Sequence, residues 1–434
     1  MSGAGARPSG TEHTIDQWMV RARAWLDELQ SPIGLRASSA EGHFHALFGR
    51  DTLWSVMLVL EASRLRPADS DLAAWAERVA ANGLRALAAT QGTREHDETE
   101  EQPGKIVHEY WPETPEHLRR AHWPMENGRY YGSADATYLF LMTAVTVWRQ
   151  CAGGRELIDS LWDHVVAALH WALRYGDVDG DGLMEASPRQ PERRGLNNQV
   201  WKDSFDSLVT EAGSPAPAPV AWVELQGYAV AAFRGMAAVL ADRGQDEPLR
   251  HELQARADTI VGHLARFTLA GEGAPAIALT AEKTPVPIVS SNIGHVLWCE
   301  ALAGEAAQSA ASRLMHPDML SVWGLRTVSA RSYAFDPFSY HRGSIWPFDN
   351  GIAAGGLWRL GRHDDAREIG RRVVGALDHY GTPEELYCSL PATWVRAPDP
   401  GGADLLIDYR RSNAIQAWTA AALLLLGAQL LANP

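Results

Sequence analysis

Residues 14–30 contain the run IDQWMVRARAWLDEL, in which apolar side chains recur at the three- and four-residue spacing of an amphipathic α-helix. The same spacing returns along the whole chain, without a β-run of comparable length. It predicts about twelve helices, over residues 14–30, 51–64, 70–91, 133–149, 157–175, 223–241, 247–268, 292–303, 305–315, 345–360, 363–379 and 412–431. The sequence therefore predicts an all-α protein.

Long segments rich in aromatic residues, acids, Gly and Pro recur between these helices. Loops of this length inside a compact domain usually carry function. Six α-hairpins closed into a double ring, an (α/α)6 barrel, would bring the loops at one end to a single cleft, whereas an α-solenoid would need a regular repeat that the sequence lacks. We expect a disordered tail over residues 1–12 and one domain over 13–434. The long segments are 92–131, 176–222, 269–291, 316–344 and 380–411.

Charge and cysteine content exclude several classes of protein. The 434-residue chain has a formal net charge of −14, which argues against nucleic acid or an anionic membrane as a partner, because both attract clustered Lys and Arg. Three widely spaced cysteines indicate neither a disulfide framework nor a structural zinc site. The N-terminus lacks a signal-peptide pattern, and no charge-free apolar run reaches membrane-spanning length, so we expect a cytoplasmic protein.

Residues 195–207, GLNNQVWKDSFDS, combine acids, amides and an aromatic ring at a density that is unusual for a solvated loop. Asp203 and Asp206 lie three residues apart, next to Trp201. Sugars suit such a mixture, because their C–H faces stack on rings and their hydroxyl groups need polar partners. The same residues could instead begin a helix, with Asp203 or Ser204 as its N-cap.

Other polar residues stand at or near predicted helix starts. Arg50 beside Asp51 forms a donor–acceptor pair suited to two sugar hydroxyls, although Asp51 could equally cap a helix. Asp135 precedes an apolar helix, where capping also explains it. Glu224 and Gln226 lie on an apolar helix and would be costly if buried without partners, so we expect them to face a polar cavity.

Two later segments also concentrate polar and aromatic residues. Residues 340–350, YHRGSIWPFDN, include His341 and Asp349, which a core role does not explain. Residues 383–388, PEELYC, place two acids in an aromatic loop, of which the second is Glu385. Surface acids are the alternative interpretation of that pair.

Residues 177–185, DVDGDGLME, resemble a calcium loop in their alternation of Asp with Gly. The position at which an EF-hand needs a bidentate Glu is Pro188, however, so the EF-hand interpretation fails. We expect a helix-terminating turn, with a bound cation as the alternative.

The ordered motifs GRDT, PGKIVHE, YYGSADAT, DGDGLME, NNQVWKDSFDS, ELQGY, SNIGH, YHRGSIWPFDNG and PEELYC resemble the amylo-α-1,6-glucosidase-like glycoside hydrolases of the glycogen-debranching type. The chain is more distantly similar to glucoamylases, trehalases and mannosylglycerate hydrolases, which share the (α/α)6 barrel. The resemblance implies an inverting mechanism with Asp203 as general acid and Glu385 as general base. It also implies that Arg50 and Asp51 hold hydroxyls of the non-reducing sugar.

The chemistry of inversion agrees with those roles. One carboxyl group protonates the leaving oxygen while the opposite carboxylate activates water, and roughly 6.5–9.5 Å separates the two. Asp203 and Glu385 come from different long loops, as facing walls of a cleft require. Trp201 would shield Asp203 from water and raise its pKa. Asp206 is the rival acid and Glu384 the rival base.

Three functions remain open at this stage. The first is an exo-acting inverting hydrolase, an α-glucosidase on short oligosaccharides or a small glucoside. The second is a hydrolase of an anionic glycoside such as glucosylglycerate or mannosylglycerate, gripped by the basic insert 189–194, which could otherwise be a solvated loop. The third is a non-catalytic sugar-binding protein, which the presence of both carboxyl groups disfavours. We expect no metal and no cofactor, and substrate contacts from Arg50, Asp51, Asp135, Trp201, Lys202, Asp206, Glu224, Gln226, His341, Arg342, Trp346 and Asp349.

Overall fold

A computed structural model of the chain describes residues 14–189, 194–391, 394 and 404–432. The predicted disordered tail, 1–12, lies outside these residues. The α-helices of the described part are α1 (Ile15–Leu29), α2 (Gly49–Arg64), α3 (Ser70–Ala89), α4 (Glu116–Ala121), α5 (Ala136–Gln150), α6 (Gly154–Ser160), α7 (Trp162–Tyr175), α8 (Val223–Asp242), α9 (Glu247–His263), α10 (Asn292–Trp298), α11 (Gly304–Leu314), α12 (Pro347–Arg359), α13 (His363–Tyr380) and α14 (Ala417–Leu431). The strands are β1 (Gln30–Ser31), β2 (Gly34–Leu35), β3 (Leu47–Phe48), β4 (Glu109–Tyr110), β5 (Arg129–Tyr130), β6 (Ala221–Trp222), β7 (Ala278–Leu279), β8 (Pro285–Val286), β9 (Leu320–Ser321), β10 (Gly324–Leu325), β11 (Tyr387–Leu390) and β12 (Leu405–Asp408).

Six helices form a closed inner ring. In the order α2, α5, α8, α10, α12 and α14, each helix packs against the next, and α14 packs against α2. These helices are buried over most of their circumference; in α2, for example, every residue from Gly49 to Ala62 is buried. A helix buried all round must be surrounded by other helices, which is the position that the ring provides.

Six further helices form an outer layer, in which α1, α3, α7, α9, α11 and α13 pack against α14, α2, α5, α8, α10 and α12 respectively. They are amphipathic, as expected of helices with one face to solvent. In α13, the buried Ala366, Ile369, Val373 and Leu377 recur every three or four residues. The double ring is an (α/α)6 barrel, so the predicted fold class is confirmed.

The apolar periodicity of the sequence did not predict the shortest helices or the strands. The predicted helix 157–175 is two helices, α6 and α7, which break at Leu161. Helix α4 has no buried residue and so leaves no apolar periodicity. The strands are two to four residues long, too short for an alternating pattern. Within the described residues, every helix is too short or too polar to span a lipid bilayer.

Short sheets join the loops at one end of the barrel. The antiparallel sheet β3–β4–β5 ties the start of α2 to the long segment 92–131, with Phe48 opposite Glu109 and Glu109 opposite Tyr130. Near the C-terminus, β11 pairs with β12, and Tyr387 also pairs with Ile345. These pairings fix polar residues of distant segments around one opening.

The Asp-rich turn after α7 carries its own counter-charge. Carboxylates of Asp177, Asp179 and Glu185 lie close enough together to hold a cation. The ammonium group of Lys283 lies 2.9 Å from Asp179 and also bonds to Glu185, whose side chain is fully buried. A side chain of the same protein therefore supplies the positive charge for these acids, in keeping with the expected helix-terminating turn.

Candidate active site

A cleft of about 820 Å³, part of it open to solvent, lies at the loop end of the barrel. Four of the five predicted long loops contribute to its wall, and segment 269–291 contributes none of the residues that line it. Buried side chains form its floor: Arg50, Asp51, Trp201, Trp346, Glu385, Gln416 and Trp418. Half-buried or exposed side chains form its mouth: His43, Phe44, His117, Leu118, Trp123 and Leu196.

Arg50 is fixed at the floor by a buried ion pair. Helix α2 starts at Gly49, where a Cβ atom would lie 2.2 Å from the carbonyl oxygen of Val107, so only glycine permits this close approach of the long segment 92–131. The next residue, Arg50, donates from Nε and Nη2 to both carboxylate oxygens of Asp135, at 2.6 and 3.2 Å. Its Nη1 donates to Asp203 Oδ2 at 3.1 Å. One guanidinium therefore links the barrel helices α2 and α5 to the loop that carries Asp203.

Neither Asp135 nor Asp51 caps a helix with its side chain, so the capping interpretation of both residues is wrong. Asp135 stands at the N-cap position of α5 but makes no capping hydrogen bond, because its carboxylate binds Arg50 and accepts from the Ser133 hydroxyl at 2.6 Å. Asp51 lies within the first turn of α2, lines the cleft and accepts from Gln416 at 3.3 Å. Burial raises the pKa of Asp51 to about 8, against the opposing charge of Arg50.

Asp203 projects into the cleft from an irregular loop. Residues 195–207 form turns and bends without a helix, so the helix-start alternative for this stretch is wrong. The Asp203 side chain is 23% exposed. Removal from bulk water raises the pKa of Asp203 to about 6, although the positive charge of Arg50 opposes this change.

Glu385 faces the same cleft from the opposite end of the chain and is held by three donors. The Tyr340 hydroxyl donates to Oε1 at 2.5 Å, and the Asn413 backbone and side chain donate to Oε2 at 3.2 and 2.6 Å. Burial raises the pKa of Glu385 to about 7; the donors oppose this change, and the charge of Asp203 adds to it. Glu384 bonds to hydroxyls outside the cleft wall.

Three packed rings form part of the cleft wall. His341 stacks on Trp346 with ring centroids 5.1 Å apart, and Trp201 meets both rings edge-on. His341 Nδ1 lies 2.9 Å from the hydroxyl oxygen of Ser204, the residue after Asp203. Burial holds the pKa of His341 well below its ordinary value, so this ring is neutral and positions the Asp203 loop without adding charge.

Several predicted contact residues lie behind the wall. Lys202 donates to the Ser291 hydroxyl at 3.1 Å, and Asp349 lies 2.8 Å from His295 Nε2. The Gln226 side chain forms two hydrogen bonds with the backbone of Met184. Its Nε2 donates to the carbonyl oxygen at 2.7 Å, and its Oε1 accepts from the N–H group at 2.9 Å. None of these side chains lines the cleft, and the same is true of Asp135, Glu224, Asp206 and Arg342.

For two of these seven residues, the contacts in the structure show why the expected position was wrong. Gln226 does not face a polar cavity, because backbone groups of Met184 satisfy its amide inside the core. Asp206 pairs with Arg342 at 3.0 Å on the outer side of the loop. Although partial burial opposes the effect, this pairing and the Ser204 hydroxyl lower the pKa of Asp206, which favours its ionised form and disfavours it as the proton donor.

Other cleft residues were not among the predicted contacts. Glu109 and Tyr340 belong to the quoted motifs PGKIVHE and YHRGSIWPFDNG, so a signal for them existed. Gln416 and Asn413 belong to no quoted motif, and only the fold brings this C-terminal segment to the cleft. The other unpredicted cleft residues include five Phe and Trp side chains: Phe44, Phe48, Trp111, Trp123 and Trp418.

Comparison with protein families places residues 70–397 in the family described as the mannosylglycerate hydrolase MGH1-like glycoside hydrolase domain. Among solved structures, the chain is similar to a GH63 mannosylglycerate hydrolase from Thermus thermophilus in complex with Tris, with 14% identity, 94% of this chain and 99% of that chain covered, and a TM-score of 0.65. The same enzyme in complex with glucose gives 16% identity, 94% and 99% coverage and a TM-score of 0.64.

A structure described as a wild-type glycosidase gives 12% identity, 97% and 98% coverage and a TM-score of 0.60. Because these identities are low, the similarity to solved structures shows the fold alone. Membership of the family rests on the match of residues 70–397 to the family model. A sequence comparison with curated proteins found no match.

The buried pair between Arg50 and Asp135 predicts a large difference between two otherwise similar substitutions. Asp135→Asn removes one of the two carboxylates that balance the charge of the buried Arg50. We expect it to lower the free energy of unfolding by about 3 kcal/mol. Asp206→Asn breaks the half-exposed pair with Arg342 and should cost less than about 1 kcal/mol. Chemical denaturation of both variants measures the difference, and equal losses would contradict the structural role of the buried pair.

Proposed function

Because the chain belongs to the mannosylglycerate hydrolase MGH1-like glycoside hydrolases, it is a glycosidase, and we propose that it hydrolyses a small α-glucoside from its non-reducing end with inversion. One observation carries the proposal: Asp203 and Glu385, from separate loops, line a single cleft whose floor is buried. A closed floor accommodates the end of a chain but not its middle, which favours exo action. A short oligosaccharide or a glucoside with a small aglycone suits such a site.

In this proposal the floor of the cleft holds the terminal sugar. Arg50 and Asp51 offer a donor and an acceptor side by side for two neighbouring hydroxyls. Trp201 and Trp346 offer ring surfaces for the C–H face of the sugar. The glycosidic oxygen then lies between Asp203 and Glu385, with the leaving group toward the mouth.

The two carboxyl groups divide the work of hydrolysis between them. Asp203 gives its proton to the departing oxygen, while the Glu385 carboxylate takes a proton from a water molecule that attacks the anomeric carbon. The bonds from Tyr340 and Asn413 to Glu385 stabilise its ionised form and fix its direction. After the step Asp203 is ionised and Glu385 is protonated, so one proton must return to Asp203 before the next cycle.

Placement of the catalytic proton depends on the bound substrate. In the free cleft the pKa is about 6 for Asp203 and about 7 for Glu385, so the pair shares one proton between these values. A glycosidic oxygen beside Asp203 accepts a hydrogen bond only from the protonated form of that carboxyl group. Substrate binding therefore favours the proton on Asp203 and leaves Glu385 ionised.

An anionic glycoside is the second candidate, and the family description favours it, as does a structure of the T. thermophilus enzyme that contains D-glycerate. In the described part of the chain, the basic insert does not support it. Arg189 pairs with Asp97 at 2.6 Å, and Arg194 bonds to a backbone carbonyl outside the cleft wall. The other residues of the insert, 190–193, lie outside the described residues.

The proposal predicts a selective loss of activity in two variants. Asp203→Asn and Glu385→Gln each remove a proton donor or acceptor while keeping the shape of the side chain, and we expect kcat on an α-glucoside to fall by about 10²–10⁴-fold. Release of glucose from a panel of α-linked disaccharides and small glucosides measures the effect. The rivals give matched controls: Asp206→Asn and Glu384→Gln should stay within about tenfold of the parent. Full activity in either of the first two variants would reject that residue's role.

The shared proton also predicts the pH profile. Below about pH 6 both carboxyl groups are protonated and the base is lost, and above about pH 7 both are ionised and the acid is lost. We therefore expect kcat/KM to follow a narrow bell with its maximum between these two values. Initial rates at low substrate concentration across the pH range measure it, and a plateau that extends into alkaline solution would contradict a carboxylic acid as proton donor.

A further inference from the structure

The mouth of the cleft has an apolar wall that is separate from the main core. Phe48 and Trp111 form a small buried cluster with two alanines, and Phe44, Leu118 and Met125 pack against it. The rings of Phe44, Phe48 and Trp111 meet edge-to-face, with centroids 5.5 and 6.1 Å apart. Phe44 and Leu118 of this aromatic wall belong to the mouth, toward which the proposed mechanism directs the leaving group.

One acid is set into the aromatic wall. Glu109 begins β4, pairs with Phe48 across the sheet and is only 5% exposed, yet it lines the cleft. Its oxygens accept from the indole N–H groups of Trp111 and Trp123 at 2.6 and 2.5 Å. Two neutral donors orient the carboxylate without cancelling its charge, and no Lys or Arg among the described residues forms an ion pair with it.

Glu109 is tied to the mouth of the cleft, because one of its two indole donors, Trp123, is a residue of the mouth. Burial raises the pKa of Glu109, and the negative charge of Asp203 adds to this effect. Asp203 is the residue that we assign to protonation of the leaving oxygen. In the proposed mode of binding, the leaving group extends from that oxygen toward the mouth, where it would meet Glu109 and the indole rings.

Positive charge is scarce along this side of the cleft. Among the described residues that line the cleft, Arg50 is the only Lys or Arg, and the carboxylates of Asp135 and Asp203 already balance its positive charge. Burial, together with nearby positive charges, keeps the pKa of His108 well below its ordinary value, so that ring is neutral. The described histidines at the mouth, His43 and His117, are exposed to solvent.

We propose that Glu109 makes the enzyme select neutral, hydroxylated aglycones and reject carboxylate-bearing ones; this inference rests on the proposed function. A hydroxyl of the aglycone donates to a free lone pair of the Glu109 carboxylate, and its C–H groups pack on Trp111 and Trp123. A carboxylate at the same place has no proton to donate and repels the negative charge of Glu109. Glu109 is thus a specificity-determining residue and takes no part in proton transfer.

A matched pair of substrates tests the proposal. Glucosylglycerol and glucosylglycerate carry the same sugar and differ in one group of the aglycone, a hydroxymethyl group in the first and a carboxylate in the second. The quantity to measure is the ratio of their kcat/KM values at a pH of about 8. Glu109 is ionised there, because burial raises its pKa only to about 7. Any loss of active enzyme cancels in this ratio. We expect the parent enzyme to favour the neutral glucoside by about tenfold or more.

Removal of the negative charge of Glu109 should reduce the preference for the neutral glucoside. Glu109→Gln keeps the size of the side chain, and we expect it to raise kcat/KM for glucosylglycerate relative to glucosylglycerol by about tenfold. The control is Glu113→Gln, which removes the same charge from an exposed position on the same segment and should leave the ratio unchanged. A relative gain toward an anionic substrate cannot arise from partial unfolding of the variant.

The outcomes separate this inference from the proposed function. A parent enzyme that favours glucosylglycerate, or a ratio that Glu109→Gln leaves unchanged, overturns the role of Glu109 while the glucosidase proposal stands. If the enzyme hydrolyses neither compound, that result contradicts the proposed function. In that event titration calorimetry with the two intact glucosides decides the role of Glu109, because the ratio of their dissociation constants must show the same preference and the same change in the variant.

Discussion

The ion pair between Arg50 and Asp135 is the constraint on which the site depends. A guanidinium buried in a helical core is tolerated only when its charge is matched and its donors are used. Asp135 takes two of those donors, which fixes the start of α2 against the start of α5. The remaining nitrogen donates to Asp203, so helices of the inner ring hold the position of a loop residue. Because the same guanidinium opposes the raised pKa of Asp203, it also sets how readily that group gives up a proton.

The acids of the cleft have two different kinds of partner. Asp203 is balanced by a cation, and Glu385 is held by three hydrogen-bond donors. Glu109 has only neutral indole partners, so its charge is oriented but not neutralised. Under the proposed function, such a site would bind sugar hydroxyls at its floor and discriminate between aglycones by charge near its mouth, so that reaction and selectivity could be altered separately.

The barrel, and the placement of Asp203 and Glu385 at one cleft, could be predicted from the sequence, because helical periodicity and ordered motifs are local signals. The partners of individual polar residues could not be predicted. Asp135 was explained by capping, which is the best local partner for an acid at a helix start, but a distant arginine competes successfully for its carboxylate. Gln226 looked like a cavity residue because nothing local satisfies its amide, and the backbone of Met184 does so across the fold. Long-range hydrogen bonds of this kind leave no pattern in a single sequence.

In the proposed mechanism, Asp203 and Glu385 act from opposite faces of the sugar, one on the leaving oxygen and the other through a water molecule. The anomer released in the first turnovers, before mutarotation mixes the two forms, distinguishes this arrangement from direct attack by a carboxylate. With an α-glucoside as substrate and proton NMR recorded during hydrolysis, we expect β-glucose to appear first. Initial release of α-glucose would mean that a carboxylate attacks the sugar carbon itself, and it would contradict the role assigned to Glu385.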